Sequence, residues 1–320
     1  MGIGNFAQDW DEVDEQGKDD GYSGGGGNLS ENDRLYKFRF SIPKIGGSKY
    51  QPNLVPGRPA KKRVVFLPYD KIFTIYEHAI FNNQYASKIV GFNTVCIPKS
   101  SADWRGGPCP ICSNKDMKSY ARFHGFFGVI DMGQVERIGK DDISLYHASW
   151  KDKNGNEHWR KFEKVLLAAP KGTNDKPGLL STLKWKAGDM GISNLSGTVW
   201  DATRTGDKTS ISGDDWQFVC QLEEGGIMDY LVQHGANADE VDITPPLFLQ
   251  TDPSKVGSEP GIFNFDLDEL YKKQQVAAGV VSPVVASNRS NVSGAGYGDQ
   301  GGGYNSGNDA PPPDDDDIPF

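Results

Sequence analysis

Alternation of apolar and polar residues with a period of two is the clearest pattern in this chain. Residues 35–42 alternate strictly, with aromatic and isoleucine side chains on one face and mainly basic side chains on the other. This period is typical of a strand that buries one face. Apolar runs at 64–67 and 72–76, separated by Pro68 and a turn, predict two more strands.

Further strand-forming runs follow, each ended by turn residues. Many short strands with few helices are typical of an antiparallel β-barrel or sandwich, so the predicted fold class is mainly β. Strands are predicted at 88–95, 120–131 and 143–150, a hairpin at 197–203 with 216–222, and helices at 157–169, 227–234 and 266–275.

The two ends of the chain have compositions that are typical of disorder. Residues 1–32 carry eight acidic residues, one lysine and four consecutive glycines, and residues 276–320 are rich in Gly, Ser, Asn and Pro. Such segments bury too little apolar surface to offset the entropy of ordering them. We expect a folded body at 33–275, a linker at 276–310 and an acidic tip at 311–320.

The net charge of −9 conceals a basic block between acidic segments. Residues 33–186 carry a net charge of +14, whereas 1–32, 187–275 and 276–320 carry −7, −11 and −5. This asymmetry favours a polyanion as partner, with the acidic ends as internal competitors for the same surface. A merely solvated basic face is the alternative.

Three of the four cysteines have the spacing of a zinc site. Cys109 and Cys112 form a C-x-x-C turn, which directs two thiolates at one point, as tetrahedral zinc requires. Cys96 can supply the third ligand, and either His78 or His124 the fourth. Four protein ligands leave no open position, which predicts one structural Zn²⁺ rather than a catalytic one. Buried free thiols are the alternative.

Aromatic and basic residues are interleaved within the basic block. Single-stranded nucleic acid is bound by cations that follow the phosphates and by exposed rings on which bases stack, and stacking needs no particular base. For Trp104, Tyr120 and Phe123, burial in the core is the alternative. The residues predicted to contact DNA are Lys61, Lys62, Arg63, Trp104, Arg105, Lys118, Tyr120, Arg122, Phe123, Trp159, Arg160 and Lys161.

The last residues combine an acidic run with an apolar end. A solvated acidic tail needs no apolar residues, so the pattern predicts a linear motif that binds a hydrophobic pocket with a basic rim on a partner protein. The predicted partner-binding residues are Asp314, Asp315, Asp316, Asp317, Ile318, Pro319 and Phe320.

Sequence signatures of enzymes, secretion and membrane insertion are absent. No phosphate-binding loop, nucleophile elbow, zinc-protease motif or deaminase motif occurs. Residues 9–15 are mostly acidic where a signal peptide has a basic and then an apolar run. No run approaches the ~20 apolar residues of a membrane span. We expect a non-enzymatic protein of the cytoplasm.

Two groups of proteins resemble parts of this chain. The tip at 314–320 is similar to the end of bacterial single-stranded-DNA-binding proteins, whose acidic Ile-Pro-Phe tail recruits replication and repair proteins. The order Phe66-Leu67-Pro68, His78, Val95-Cys96 and Cys109-Pro110-Ile111-Cys112 resembles the helix-destabilising, single-stranded-DNA-binding proteins of T-even-type bacteriophages. That second likeness covers roughly residues 60–225.

The second resemblance implies an OB-fold barrel interrupted by a zinc insert at about 77–118, with the DNA cleft between the two. It favours His78 over His124 as the fourth zinc ligand. It also implies a phage protein in the cytoplasm of an infected bacterium, which coats and protects single-stranded DNA during replication, recombination and repair. Replication and recombination proteins would be recruited through the tail. The acidic segment 1–32 differs from the basic N-terminal arm of that family.

Two other functions are compatible with the residues. A zinc-ribbon transcription or assembly factor would act mainly through protein partners such as RNA polymerase. A metal-dependent nuclease would use carboxylate pairs such as Asp214 and Asp215. Polymerase binding without DNA binding would favour the first, and strand degradation with added magnesium would favour the second.

Overall fold

The computed structural model of this chain contains one large antiparallel sheet and few helices in its described part. The structure describes residues 5–7, 39–46, 54–55, 57–80, 85, 93–117, 119–137, 143–147, 149–151, 157–159, 162–173, 175–206, 209–249 and 261–280.

Eleven strands occur within the described residues, and aromatic or β-branched residues are frequent in them, as expected for a pleated layer with buried faces. They are β1 (Asn5–Ala7), β2 (Lys61–Phe66), β3 (Ile72–Ala79), β4 (Asn93–Val95), β5 (Ala121–Arg137), β6 (Ile143–Tyr146), β7 (Ser149–Lys151), β8 (Glu157–Trp159), β9 (Glu163–Pro170), β10 (Thr198–Thr203) and β11 (Asp215–Gln221).

Strand β5 is the centre of the sheet. Along one edge it pairs first with β3 and then with β2, and along the other edge first with β9 and then with β6. Strands β1 and β4 pair with β3, and the β10–β11 hairpin extends the sheet beyond β2. Strands β7 and β8 pair separately. Among the described residues the sheet is open, so the mainly β class is confirmed and a closed barrel is not.

Two apolar cores lie on opposite faces of this sheet. Successive residues of β2 alternate between them, with Phe66 in the larger core and Val65 in the smaller one. In the larger core, Phe66 packs edge-to-face on Phe127 with ring centroids 5.5 Å apart, and Trp216 is completely buried beside them. The continuous apolar run at 64–67 therefore corresponds to a strand with both faces covered.

The described helices are short and pack on the sheet. In this part of the chain none has the length and apolar character that a membrane span requires. They are α1 (Ile97–Ser100), α2 (Pro110–Ser113), a 3₁₀ helix (Lys115–Met117), α3 (Leu179–Asp189), α4 (Ile227–Gln233) and α5 (Leu267–Ala277).

Helices α4 and α5 confirm the helices predicted at 227–234 and 266–275, and β10 with β11 confirms the predicted hairpin. The helix predicted at 157–169 is wrong, because Glu157–Trp159 form β8 and Glu163–Pro170 form β9. Leucine and alanine in β9 favour a helix in isolation, but antiparallel pairing with β5 along the whole of β9 overrides that preference.

The strand predicted at 35–42 is described only from Arg39 onwards. Arg39 forms an isolated bridge with Leu166 of β9, and Phe40 and Ile42 are buried as their alternation predicts. Ser41, expected on the outer face, is also buried at 6% exposure, because this segment packs within the fold rather than at its surface.

Candidate metal centre and adjoining basic surface

The candidate metal centre begins at the end of strand β3. His78 pairs with Thr94 of β4 on one side and with Ala121 of β5 on the other. Its side chain is fully buried. Because strands flank it on both sides, backbone pairing holds the histidine in place.

The cysteines come from two short helical turns after β4. Cys96 precedes α1, and its N–H donates to the Tyr76 carbonyl at 2.8 Å. The Ser100 hydroxyl of α1 accepts from the Tyr76 N–H at 2.9 Å and donates to its carbonyl at 3.1 Å. Cys109 precedes α2, and Cys112 lies within it. The turn that carries Cys96 is thus fastened to β3.

The four candidate ligand atoms form a cluster of tetrahedral size. They all lie within 4.8 Å of one another. His78 Nε2 is 3.2 Å from Cys109 Sγ and 3.4 Å from Cys112 Sγ, and Cys96 Sγ is 3.9 Å from Cys112 Sγ. Standard bond lengths around a tetrahedral zinc give N–S and S–S separations of about 3.5 and 3.8 Å. The cluster can therefore hold one metal ion, and its three sulfurs and one imidazole suit zinc.

The surroundings of the three thiols favour the thiolate form most at Cys109. Interaction with the thiols of Cys112 and Cys96, together with His78, lowers the pKa of Cys109 far below its usual value. Interaction with Cys109 raises the pKa of Cys112 to about 11 and also raises the pKa of Cys96 well above its usual value. A bound cation would stabilise all three groups as thiolates.

A serine supports the histidine from behind. Ser119 Oγ lies 3.4 Å from His78 Nδ1, the ring nitrogen that faces away from the cysteines, and Ser119 is buried. Such an outer hydrogen bond fixes the orientation of a ligand ring and leaves Nε2 to the metal. Sequence reasoning did not identify Ser119. Its position between Cys112 and the strand that begins at Ala121 is the feature that could have indicated it.

His124, the alternative fourth ligand, lies elsewhere. It is three residues along β5 from Ala121, the partner of His78, so its side chain is on the opposite face of the sheet. Its Nδ1 is 3.2 Å from the Arg122 carbonyl and 3.9 Å from the Glu77 carboxylate. Burial lowers the pKa of His124 to about 4. Of the two histidines, the structure brings His78 to the cysteines.

Two of the cations predicted to contact DNA form ion pairs inside the protein. Lys62 pairs with Asp131 at 2.5 Å, and Arg63 makes two hydrogen bonds with Asp201 at 2.7 and 3.0 Å. Lys62 and Arg63 are only 7% and 5% exposed. These pairs link β2 to β5 and β10, so both residues have a role within the sheet, and their contact with DNA stays a prediction.

Two of the predicted stacking rings are packed inside the protein. Trp104 donates its indole N–H to the Gly107 carbonyl at 3.0 Å and lies beside Tyr271, with ring centroids 4.8 Å apart. Phe123 packs edge-to-face on Tyr76 at 5.2 Å. Neither ring presents an open face to solvent. Both rings are therefore buried in this conformation, which is the alternative considered for them above.

The other predicted contacts that are described lie nearer the surface. Tyr120, which directly precedes β5, is 61% exposed. Arg105 is exposed and donates to two carbonyls of its own loop. Lys61 and Arg122 are half-buried, and Arg122 is the cross-strand neighbour of Glu77.

Two lysines that sequence reasoning missed lie over buried rings beside the metal centre. Lys99 Nζ is 5.4 Å from the centre of the Tyr76 ring, and Lys171 Nζ is 6.0 Å from the centre of the Phe123 ring. The positive charge of Lys99 also acts to lower the pKa of Cys112. We call Lys99, Tyr76, Phe123 and Lys171 the lysine strip.

Several predicted site residues fall outside the described part of the chain. For Trp159 only the backbone, in β8, is described. The others are Lys118, Arg160, Lys161, Asp314, Asp315, Asp316, Asp317, Ile318, Pro319 and Phe320.

Comparison of the chain with models of protein families, with curated proteins and with solved structures gave no match. The interpretation of the site therefore depends on its own residues. These residues provide three sulfurs and one nitrogen that together could bind one metal ion. A partly exposed surface of basic and aromatic residues lies next to them.

Proposed function

We propose that this protein binds single-stranded DNA with little sequence preference, and that one structural zinc ion holds part of the binding surface in shape. The observation that carries the proposal is the proximity of three features. These are the metal centre, the lysine strip and the exposed ring of Tyr120, which follows Ser119 directly in the chain.

The chemistry of this surface suits a flexible polyanion. Ammonium groups such as those of Lys99 and Lys171 attract phosphates along a strand, and an exposed ring such as Tyr120 offers a face for one base. In the lysine strip the two ammonium groups are held by rings that contact each other, so their positions are partly organised before DNA binds. The net charge of +14 on residues 33–186 supports the same partner.

Zinc has a structural role in this proposal. Four protein ligands would complete a tetrahedral shell, so no position is left for a substrate or a reactive water. The metal would hold Cys96, and with it α1 and Lys99, at a fixed distance from β3. Loss of the metal would then disturb the lysine strip through the chain that connects Cys96 to Lys99.

We propose further that the sheet is an elaborated OB-type barrel, a fold that is partly open and often binds single strands. Strand β5 supports this, since two strands in succession pair along each of its edges. The segment that contains Phe40 and Ile42 also supports it. Phe40 N–H donates to Leu166 of β9 at 2.8 Å and Ile42 N–H to Ile211, between β10 and β11, at 2.7 Å. This segment thus spans the gap between β9 and the β10–β11 hairpin.

In a cell, such a protein would coat exposed strands and protect them during replication, recombination and repair. The resemblances of the sequence favour a phage protein in a bacterial host, with the acidic tip at 311–320 recruiting replication or recombination proteins. The tip would also compete with DNA for the basic surface when DNA is absent.

Replacement of Tyr120 by alanine tests the proposed surface. Base stacking on one ring contributes ~1–3 kcal/mol, so we expect Tyr120→Ala to weaken binding of an oligothymidylate by about fivefold to a hundredfold or more. Tyr146→Ala is the matched control, because Tyr146 is also exposed, at 41%, but lies on β6 near the other end of β5. Equal affinities for the two variants in fluorescence anisotropy would contradict the proposed surface.

A further inference from the structure

Helix α5 contacts the chain beside each of the three candidate cysteine ligands. This helix begins at Leu267, far from the cysteines in sequence, and its first turn is capped by the Asp266 carboxylate. Three of its contacts reach Val95, Pro108 and Asn114, which lie one residue before Cys96, one before Cys109 and two after Cys112.

The first contact is a buried glutamine. Gln274 is fully buried, and its Nε2 group donates to the Thr94 hydroxyl and to the Val95 carbonyl, both at 2.9 Å. These acceptors lie in β4, directly before Cys96. Both hydrogen bonds of the Nε2 group are made, whereas Oε1 is buried without a partner in the described part of the structure. The amide donor would be costly to bury without its acceptors, so the donor side of this glutamine fixes where β4 ends.

The second contact is a tyrosine on the neighbouring turn of the helix. Tyr271 donates its hydroxyl to the Pro108 carbonyl at 3.0 Å, and its ring lies against Trp104. Trp104 in turn donates to the Gly107 carbonyl. The loop that leads into Cys109 is therefore held between its own tryptophan and the helix.

The third contact is at the end of the helix. Asn114 donates from its side-chain amide to the carbonyl of Ala278 at 3.0 Å. Asn114 also ends α2, since its N–H donates to Pro110 and Ile111 within that turn. The turn that carries Cys112 is thereby fastened to the C-terminal end of α5.

We infer that Gln274 and Tyr271 are positioning residues for the metal centre, and that metal binding and the docking of α5 stabilise each other. The helix holds the ligand segments at the separation that one ion requires. The ion, by joining those segments, holds the surface on which the helix packs. Such coupling is reciprocal by thermodynamic necessity, so weakening either side weakens the other. The inference does not depend on DNA binding.

Variants of the helix test one direction of the coupling. Gln274→Met keeps the side-chain volume but removes the donor, and Tyr271→Phe removes only the hydroxyl. We expect each to speed the transfer of zinc from the full-length protein to a chromogenic chelator by about threefold to tenfold. Loss of a direct hydrogen-bond partner of a metal ligand weakens metal binding by about 10–100-fold, and these side chains bond to residues next to the ligands. Lys272→Ala, exposed on the same helix, is the control and should release zinc at the wild-type rate. Wild-type release from both test variants would overturn the inference.

Hydrogen exchange tests the other direction. Removal of the metal by chelation should speed amide exchange in α5 at least tenfold more than in α4, which packs on the smaller core on the opposite face of the sheet. A general loss of stability would affect α4 and α5 alike. Equal changes in the two helices, or no change in α5, would contradict the reciprocal coupling even if the protein binds DNA.

Discussion

Replacement of Cys109 by serine is the sharpest perturbation of the metal centre. Cys109 Sγ lies 3.2 Å from His78 Nε2 and within 4.8 Å of the sulfurs of Cys96 and Cys112, so it is close to all three other candidate ligands. Serine keeps the size of the side chain but replaces a soft thiolate by a hydroxyl that zinc binds poorly. The backbone at this position can stay unchanged, because Cys109 precedes α2 and makes no side-chain cap bond to it.

The magnitude follows from the number of ligands. Structural zinc in small sites has an apparent binding free energy of ~10–16 kcal/mol, which is about 2.5–4 kcal/mol for each of four donors. Loss of one donor should therefore weaken zinc binding by about fiftyfold to a thousandfold. Thermal stability should fall as well, since an ion that binds only the folded state stabilises it.

Chelator competition and metal analysis of the purified protein measure this effect. Cys220→Ser is the matched control, because Cys220 is the remaining cysteine, lies in β11 and is not part of the cluster. We expect one zinc per chain in the wild type and the control, and weak or no retention in Cys109→Ser. One tightly bound zinc in Cys109→Ser, or its loss in Cys220→Ser, would refute the assignment of the ligands.

Three further predictions concern charge. The double variant Lys99→Gln and Lys171→Gln should reduce the slope of log affinity against log salt by about 0.7 for each phosphate that it no longer neutralises. Fluorescence titration of single-stranded DNA across salt measures this slope. The control Lys71→Gln, in the exposed loop before β3, should leave the slope unchanged. Burial lowers the pKa of His124 from its usual 6.5 to about 4, so the unfolded chain takes up the proton first and stability should fall as the pH drops from 6.5 to 4. The pH-dependent loss in the free energy of unfolding is about 3 kcal/mol. Urea denaturation at each pH should show this loss in the wild type and not in His124→Gln. The same pH dependence in both proteins would show that His124 is not responsible. Deletion of 311–320 should tighten single-strand binding at low salt and change little at high salt, whereas equal affinity at low salt would eliminate competition by the tip.

The sequence predicted the parts of this structure that depend on local pattern. Short apolar runs separated by Pro68 and a turn identified β2 and β3, and the C-x-x-C spacing identified Cys109 and Cys112 as a pair that could share one metal. The choice between His78 and His124 could not be made from spacing, because it depends on which face of its strand each side chain occupies. The pairing of β3 with β4 and β5 places His78 with the cysteines.

The local sequence pattern could not predict which charged residues are buried. Lys62 and Arg63 look like surface cations in the sequence, yet their partners Asp131 and Asp201 are far away in the chain and meet them only through strand pairing. Helix α3 was not anticipated, although Leu180, Leu183 and Ala187 have helical spacing and are buried. The contacts of α5 with the ligand segments are likewise long-range, and no local signal encodes them.

One measurement tests the central claim most directly: the affinity of the full-length protein for single-stranded and double-stranded DNA of the same length, across a range of salt, with and without removal of the metal. The account predicts tighter binding to the single strand, a linear fall of log affinity with log salt, and weaker binding after chelation. Equal or tighter binding to the duplex, or an affinity that does not change with salt, would contradict it.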